Sequence, residues 1–145
     1  MNTQENPDEI RARQYLQTLK HTILEYEPLG NVTPDFLLDK EIAVEVRRLN
    51  RNYMRDGHLV RIDVPIINNI DELHKNIQLV IDEKNQKIDK NFELYQEWWL
   101  ILVDYLSDGI QSTDFQELKK MKIDKHKFTK IIILSPRGDF KAFKF

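Results

Sequence analysis

Near the start of the chain, apolar residues recur at steps of three and four, the spacing of one helical face. Asn6 and Pro7 mark the helix start, because Asn is a favoured N-cap and Pro suits the first helical position. Pro28 disfavours the helical conformation in the residue before it, so the helix should end at Glu27. The stripe that this helix would bury against a sheet consists of Ala12, Leu16, Leu19, Ile23 and Tyr26.

The next segment, 31–51, alternates apolar and polar residues, which predicts two paired β-strands. On the second strand, one face would carry Ile42, Val44 and Val46, and the other Ala43, Glu45 and Arg47. A two-residue turn would place Asp35 opposite Val44, on the apolar face. A three-residue loop at 39–41 pairs Asp35 with Glu45 and keeps the apolar residues together. We therefore predict the three-residue loop, although it lacks the glycine that such turns prefer.

A long helix is predicted after the hairpin. Asn69 opens a capping-box pattern, and apolar residues then recur at helical spacing as far as Tyr95, over about 25 residues. Lys84 stands where this stripe should be apolar. A lysine in such a position either extends its stem along apolar surface toward water or reaches into a functional site.

Continuous apolar runs without alternation indicate strands that are buried on both faces. Two such runs are 98–106 and 130–134, with a short helix predicted at 113–121 between them. Residues 140–145 form either a last edge strand or an aromatic tail. Strands joined by helices pair in parallel, whereas hairpin strands are antiparallel. The sequence therefore predicts an α/β sandwich with a mixed central sheet.

Five arginines lie between positions 47 and 61. Asp56-Gly57 predicts a turn in this segment, and 59–67 a short edge strand, because Pro65 excludes a central one. The segment is either a solvated loop or a flap that contacts phosphate, since the guanidinium fork matches phosphate oxygens. The flap would supply locally a positive charge that the whole chain lacks.

Composition limits the possible functions. The 145 residues suit one domain, residues 1–145, with residues 1–5 expected to be disordered. The net charge of −2 does not predict a nucleic-acid-binding protein, so such a surface must be a local patch. The absence of cysteine excludes disulfides, a thiolate nucleophile and Cys-based metal sites. Because no apolar run is long enough to span a bilayer, we expect a cytoplasmic protein with no membrane contact.

The hairpin carries the pattern P-D-F-L-L…E-I-A-V-E-V-R-R-L-N, and the later strands read W-W-L-I-L-V-D and K-I-I-I-L-S-P. In this order these motifs resemble the PD-(D/E)xK superfamily of restriction-endonuclease-like nucleases. The resemblance covers the chain from the first helix to Pro136 and implies a restriction-endonuclease-like α/β/α sandwich. It also implies Mg²⁺ or Mn²⁺ at the site. Asp35 would be the first metal-binding acid, Glu45 the second, and the Val46 carbonyl a further oxygen ligand.

The chain departs from this family at Arg47, which stands where the family has a catalytic lysine. Arginine can stabilise charge on the reacting phosphate, but it cannot lose its proton and serve as a general base. Some relatives carry the lysine on the helix after the hairpin, so Lys84 is a candidate to complete the site, with Lys87 the next choice. The family also implies a further acid from the first helix, for which Glu27 fits better than Glu25.

Three functions remain open at this point. The sequence lacks histidine pairs at zinc spacing, a glycine-rich phosphate loop and a nucleophile elbow. The first function is a Mg²⁺-dependent nuclease-like phosphodiesterase acting on DNA or RNA, an endonuclease or exonuclease that could pair as a homodimer. The second is an inactive protein of the same fold that binds nucleic acid or a partner protein. The third is an unrelated α/β domain in which Glu45 and Arg47 form a surface ion pair.

Overall fold

A computed structural model gives the fold and describes residues 5–20, 23–30, 32–62, 70–105, 120, 122–123, 126–134 and 143–144. In chain order its elements are α1 (Pro7–Gln17), β1 (Leu24–Tyr26), β2 (Phe36–Leu38), β3 (Ile42–Leu49), β4 (Arg51–Arg55), β5 (His58–Ile62), α2 (Ile70–Lys87), a 3-10 helix (Asp89–Leu94), β6 (Glu97–Asp104), β7 (Lys130–Leu134) and β8 (Phe143–Lys144). Within these ranges, no helix has the length and apolar character needed to cross a membrane.

Six strands form one mixed sheet in the order β1-β2-β3-β6-β7-β8. The strands β1, β2 and β3 pair antiparallel in succession. β6 then pairs in parallel with β3, and β7 in parallel with β6. β8 lies antiparallel to β7 at the end of the sheet, so the edge-strand alternative for the C-terminal segment is the one observed. The predicted α/β class, with an antiparallel hairpin followed by parallel strands in one sheet, is confirmed.

Apolar side chains cover both faces of the sheet, because successive residues of each strand point to opposite sides. One cluster packs α1 against side chains such as Phe36, Val44 and Ile101. The other packs α2 against side chains such as Ala43 and Leu100. The helices α1 and α2 therefore lie on opposite faces of the sheet, and β6 and β7 are buried between them, as their apolar runs predicted.

The first helix is shorter than predicted. Its start is confirmed: Asn6 and Glu9 exchange side-chain to backbone hydrogen bonds of 2.8 and 2.9 Å. It ends at Gln17, however, and not at Glu27. Residues 24–26 form the edge strand β1, whose backbone pairs with β2. The pairing with β2 decides the conformation of residues 24–26, and the spacing of apolar residues does not reveal this pairing. Glu27 has a left-handed φ of 47° and is not helical.

The second helix is also shorter than predicted. It spans Ile70–Lys87, 18 residues, and a 3-10 helix follows it. Two hydrogen bonds hold this tighter turn: Trp98 Nε1 donates to the Phe92 carbonyl at 3.1 Å, and Asn91 Nδ2 to the Thr33 carbonyl at 2.8 Å. Phe92 still packs against the core, so the spacing identified the buried side correctly but not the type of helix.

The arginine-rich segment forms a two-stranded hairpin, residues 51–62, which we call the arm. Its strands pair antiparallel in a sheet of their own. The turn at Asp56-Gly57 is confirmed, and both residues have positive φ, 51° and 77°, as the tightest hairpin turns require. The expectation of a solvated loop is therefore wrong, and the strand predicted at 59–67 begins at His58 and belongs to the arm. Contact of the arm with phosphate stays a prediction.

Several predicted features lie outside the described residues: the cap at Asn69, Pro65, most of the helix at 113–121, and residues 1–4. Glu5 was expected to be disordered with its neighbours. It is described, and its carboxylate accepts hydrogen bonds from the Arg13 guanidinium. The disorder of residues 1–5 stays a prediction.

Candidate active site

The loop between β2 and β3 has three residues, as predicted. The strand register pairs Leu38 with Ile42 and Phe36 with Val44, and Asp35 and Glu45 are the next residues beyond the last pair. Residues 39 and 40 adopt positive φ values of 48° and 61°, which closes the loop without glycine. Phe36 and Val44 belong to the cluster under α1. Because side chains alternate along a strand, Glu45 points to the opposite face, where it meets Lys84 of α2. Asp35 lines the cleft beside the end of α2.

Asp35 is fixed by three hydrogen bonds at the start of β2. Its backbone N–H donates to the Val44 carbonyl at 3.0 Å, and its carbonyl accepts from the Glu27 N–H at 2.8 Å. Its carboxylate oxygen Oδ2 accepts from the Val46 N–H at 2.7 Å. The Asp35 carboxylate therefore accepts a hydrogen bond from the β3 backbone just before the first residue of β2. The other carboxylate oxygen, Oδ1, does not take part in this hydrogen bond.

Glu45 and Lys84 form a buried ion pair between β3 and α2. Lys84 Nζ lies 3.1 Å from Glu45 Oε2, and the two residues are 6% and 1% exposed. The other oxygen, Oε1, is buried and has no hydrogen-bond partner among the described residues. The ammonium group of Lys84 therefore points to Glu45 and not along apolar surface toward water, and its role in a functional site stays a prediction.

The charges of these groups are coupled. Burial, and then the charge of Glu45, raise the pKa of Asp35 to about 7, against the opposing effects of the Val46 N–H and Lys84. Burial disfavours the charged form of Lys84, but the carboxylates of Glu45 and Asp35 outweigh it and raise its pKa. Lys84 is therefore a fixed cation at neutral pH, whereas Asp35 exchanges its proton there.

Arg47 lies on the same face of β3 but has other partners. Its Nε is 3.1 Å from a carboxylate oxygen of Glu83, and its Nη1 donates to the Arg48 carbonyl at 2.9 Å. The cation that contacts Glu45 is Lys84. The surface ion pair between Glu45 and Arg47 that the third interpretation requires is therefore wrong, because Glu45 is buried and pairs with α2.

A cleft of about 630 Å³ opens beside Asp35. The loop between β1 and β2 forms one wall, and the end of α2 with the 3-10 helix forms the other. The residues that line it are Glu27, Val32, Thr33, Asp35, Gln86, Lys87, Lys90 and Asn91. Sequence reasoning missed Lys90 and Asn91, because both lie in the 3-10 helix that we predicted to continue α2. The hydrogen bond from Asn91 to Thr33 joins the two walls.

Glu27 and Lys87, the weaker candidates of the sequence analysis, both line this cleft. Glu27 reaches it from the end of β1 and not from the first helix, and its Oε2 is buried with no hydrogen-bond partner among the described residues. The neighbouring charge of Lys84, and then burial, lower the pKa of Lys87. The cleft thus has acids on one wall and lysines on the other.

The donor atoms at Asp35 and Glu45 suit a small divalent cation. Mg²⁺ uses one or two protein carboxylates and completes its shell with water. A cation would offer a partner to Glu45 Oε1, which has none among the described residues, and would offset the repulsion from Glu45 that adds to the effect of burial on the pKa of Asp35. In a β-strand, the N–H and the C=O of one residue point toward the same neighbouring strand. Because the Val46 N–H donates to Asp35, the Val46 carbonyl also points to the side of β3 on which Asp35 lies.

The protein ligands at this edge would be the two carboxylates and the Val46 carbonyl. Within the part of the chain that the structure describes, no group of three His, Cys, Asp or Glu side chains is arranged to hold a metal ion. Glu27 therefore belongs to the cleft wall and not to a three-acid cluster.

Comparisons of the chain with protein-family models, with curated proteins and with solved structures find no match.

Proposed function

We propose that the protein is a nuclease-like phosphodiesterase that depends on Mg²⁺ or Mn²⁺ and acts on nucleic acid. One observation carries the proposal: Asp35 is close enough to feel the charge of Glu45, and Lys84 contacts Glu45 from the facing helix. We also propose that the fold is the restriction-endonuclease-like α/β/α sandwich. The order of α1, an antiparallel hairpin, α2 and two parallel strands supports this assignment.

Asp35, Glu45 and the Val46 carbonyl would hold the metal ion. Bound Mg²⁺ supplies Lewis acidity, which lowers the pKa of water and offsets the charge of a phosphate. Asp35 must release the proton that it exchanges near neutral pH before it can bind a cation. Its three hydrogen bonds orient the carboxylate before the substrate arrives, which removes an entropic cost from the reaction.

Lys84 would act through its charge. Its raised pKa keeps it protonated, so we assign it to the stabilisation of negative charge on the phosphate oxygens and not to proton abstraction. Arg47, the catalytic candidate on β3, is held by Glu83. We therefore assign Arg47 to the attachment of α2 to β3, which sets Lys84 against Glu45.

The test is a cleavage assay on supercoiled plasmid, single-stranded DNA and RNA with Mg²⁺ or Mn²⁺. Glu45→Gln and Lys84→Met should each lower the cleavage rate by at least about a hundredfold, the usual effect of removing one group that stabilises the transition state. Lys75→Met is the matched control, because Lys75 is exposed on the same helix and lies outside the cleft. Failure of the wild type to cut any substrate, or full activity of Glu45→Gln, would refute the proposal.

An inactive protein of the same fold, which binds nucleic acid or a partner protein, is the second candidate. The ion pair itself favours it, because Lys84 already neutralises Glu45 and reduces the need for a metal ion. This candidate predicts no heat of Mn²⁺ binding in calorimetry. Mn²⁺ binding by the wild type that Glu45→Gln abolishes would exclude it.

A further inference from the structure

Two lysines, Lys87 and Lys90, line the cleft. Lys87 follows Lys84 by three residues on α2, and Lys90 lies in the 3-10 helix beyond. Neither forms an ion pair with any residue that the structure describes, whereas the nearby Lys127 is paired with Asp89. Both side chains face the same cleft as the Asp35 carboxylate.

The positive charges on this wall repel one another. Lys84 and Lys87 are separated by less than one helical turn, and like charges at this spacing destabilise a helix. The carboxylate of Glu45 is already paired with Lys84. An anion that enters the cleft would therefore gain the attraction of Lys87 and Lys90 and relieve the repulsion between Lys87 and Lys84.

We propose that Lys87 and Lys90 bind backbone phosphates of a single nucleic-acid strand, next to the phosphate that meets Asp35. The identity of the ligand as nucleic acid rests on the proposed function. The volume of about 630 Å³ lies within the range of sites that enclose a small ligand. Such a cleft accommodates one or two nucleotides and not a double helix, so the strand would enter unpaired.

The other lining groups suit this ligand. Gln86 offers an amide to sugar or base, and Val32, which is 57% exposed, offers an apolar contact at the cleft wall. Contacts to phosphate carry no sequence information. The strand should therefore bind with little preference for base sequence.

A purely structural role for these lysines predicts something different. Cations near the C-terminus of a helix stabilise it through the helix dipole. In that case substitution of Lys87 and Lys90 would lower thermal stability and leave ligand binding unchanged. Binding and stability must therefore be measured on the same variants.

The experiment measures fluorescence anisotropy of a labelled single-stranded oligonucleotide, with EDTA present and over a series of salt concentrations. The variant is Lys87→Gln/Lys90→Gln. Each phosphate contact to a single strand contributes about 0.7 to the slope of log affinity against log salt, so the slope should fall by about 1.4. Lys20→Gln/Lys75→Gln is the matched control, since both residues are exposed and outside the cleft. Lys87→Arg/Lys90→Arg keeps the charges and should restore most of the slope.

The proposal is overturned if the cleft variant and the control variant show the same slope, or if the wild type does not bind the oligonucleotide. It stands if only the cleft variant loses slope while its melting temperature stays within the range of the control. Failure of this proposal is distinguishable from failure of the proposed function, because binding is measured without metal. A protein that binds through Lys87 and Lys90 but never cuts retains the phosphate site and loses the nuclease assignment. A protein that cuts nucleic acid but binds it independently of Lys87 and Lys90 retains the nuclease assignment and loses the phosphate site.

Discussion

Replacement of Lys84 by methionine tests whether the ion pair between α2 and β3 is as buried as its geometry indicates. Methionine fills much of the space of the lysine stem but leaves the Glu45 carboxylate, which is 1% exposed, without its cation. Removal of one partner of a buried ion pair typically costs about 3–5 kcal/mol. For a chain of this size that corresponds to a fall in melting temperature of about 10 °C or more.

The second half of the cycle isolates the pair. Glu45→Leu/Lys84→Met removes both charges, and apolar replacement of a buried pair is often neutral or stabilising. The double variant should therefore be more stable than Lys84→Met alone, by about 2 kcal/mol or more. Urea unfolding, followed by circular dichroism at low and high salt, measures both quantities. The differences should persist at high salt, because buried charges are screened much less than exposed ones.

Two results would refute this reasoning. A cost below about 1 kcal/mol for Lys84→Met would place the pair in the range of exposed ion pairs. Equal free energies of unfolding for Lys84→Met and the double variant would show that the unpaired Glu45 carboxylate does not destabilise the fold. Either result would also remove the main support for the placement of Lys84 in the active site.

Three further predictions follow from other contacts of the site. Asp35→Asn should raise the free energy of unfolding above pH 7 by about 1–3 kcal/mol and change little below pH 4. In the wild type, Asp35 keeps its proton up to about pH 7 in the folded protein but loses it near pH 4 in the unfolded chain. The free energy of unfolding of the wild type therefore falls as the pH rises between these values. If the urea midpoint of the variant showed the same pH profile as that of the wild type, this prediction would be contradicted. Asn91→Ala should cost about 1 kcal/mol, measured by urea unfolding, because it removes the hydrogen bond to the Thr33 carbonyl. Arg47→Ala should cost at most about 1 kcal/mol, because its pair with Glu83 is partly exposed, and should keep metal-dependent cutting where Lys84→Met loses it.

The register of the hairpin could be predicted from the sequence because it is a local property. Alternation of apolar and polar residues leaves one register in which Leu38 pairs with Ile42 and the apolar residues share a face, and the strands adopt it. The position of Lys84 was also detectable, because a lysine in an apolar stripe is a conspicuous exception. Both signals depend only on the periodicity of one element.

The errors concern features that distant contacts decide. Residues 24–26 form a strand because β2 lies beside them, and no local pattern reports this pairing. The partner of Arg47 is Glu83, 36 residues further along the chain. Sequence spacing predicts which face a side chain occupies, but the choice among charged partners on that face depends on how the helix is seated on the sheet.

The acids and the lysine of this site come from elements that are far apart in the chain, and the arm lies between them. The distance from Glu45 to Lys84 is set by the packing of α2 on β3 and not by the number of residues that connect them. The connecting segment can therefore be lengthened, shortened or exchanged while the charged groups keep their places. Evolution could reshape the surface next to the site without altering its chemistry. Motif patterns of fixed spacing would fail to detect such variants.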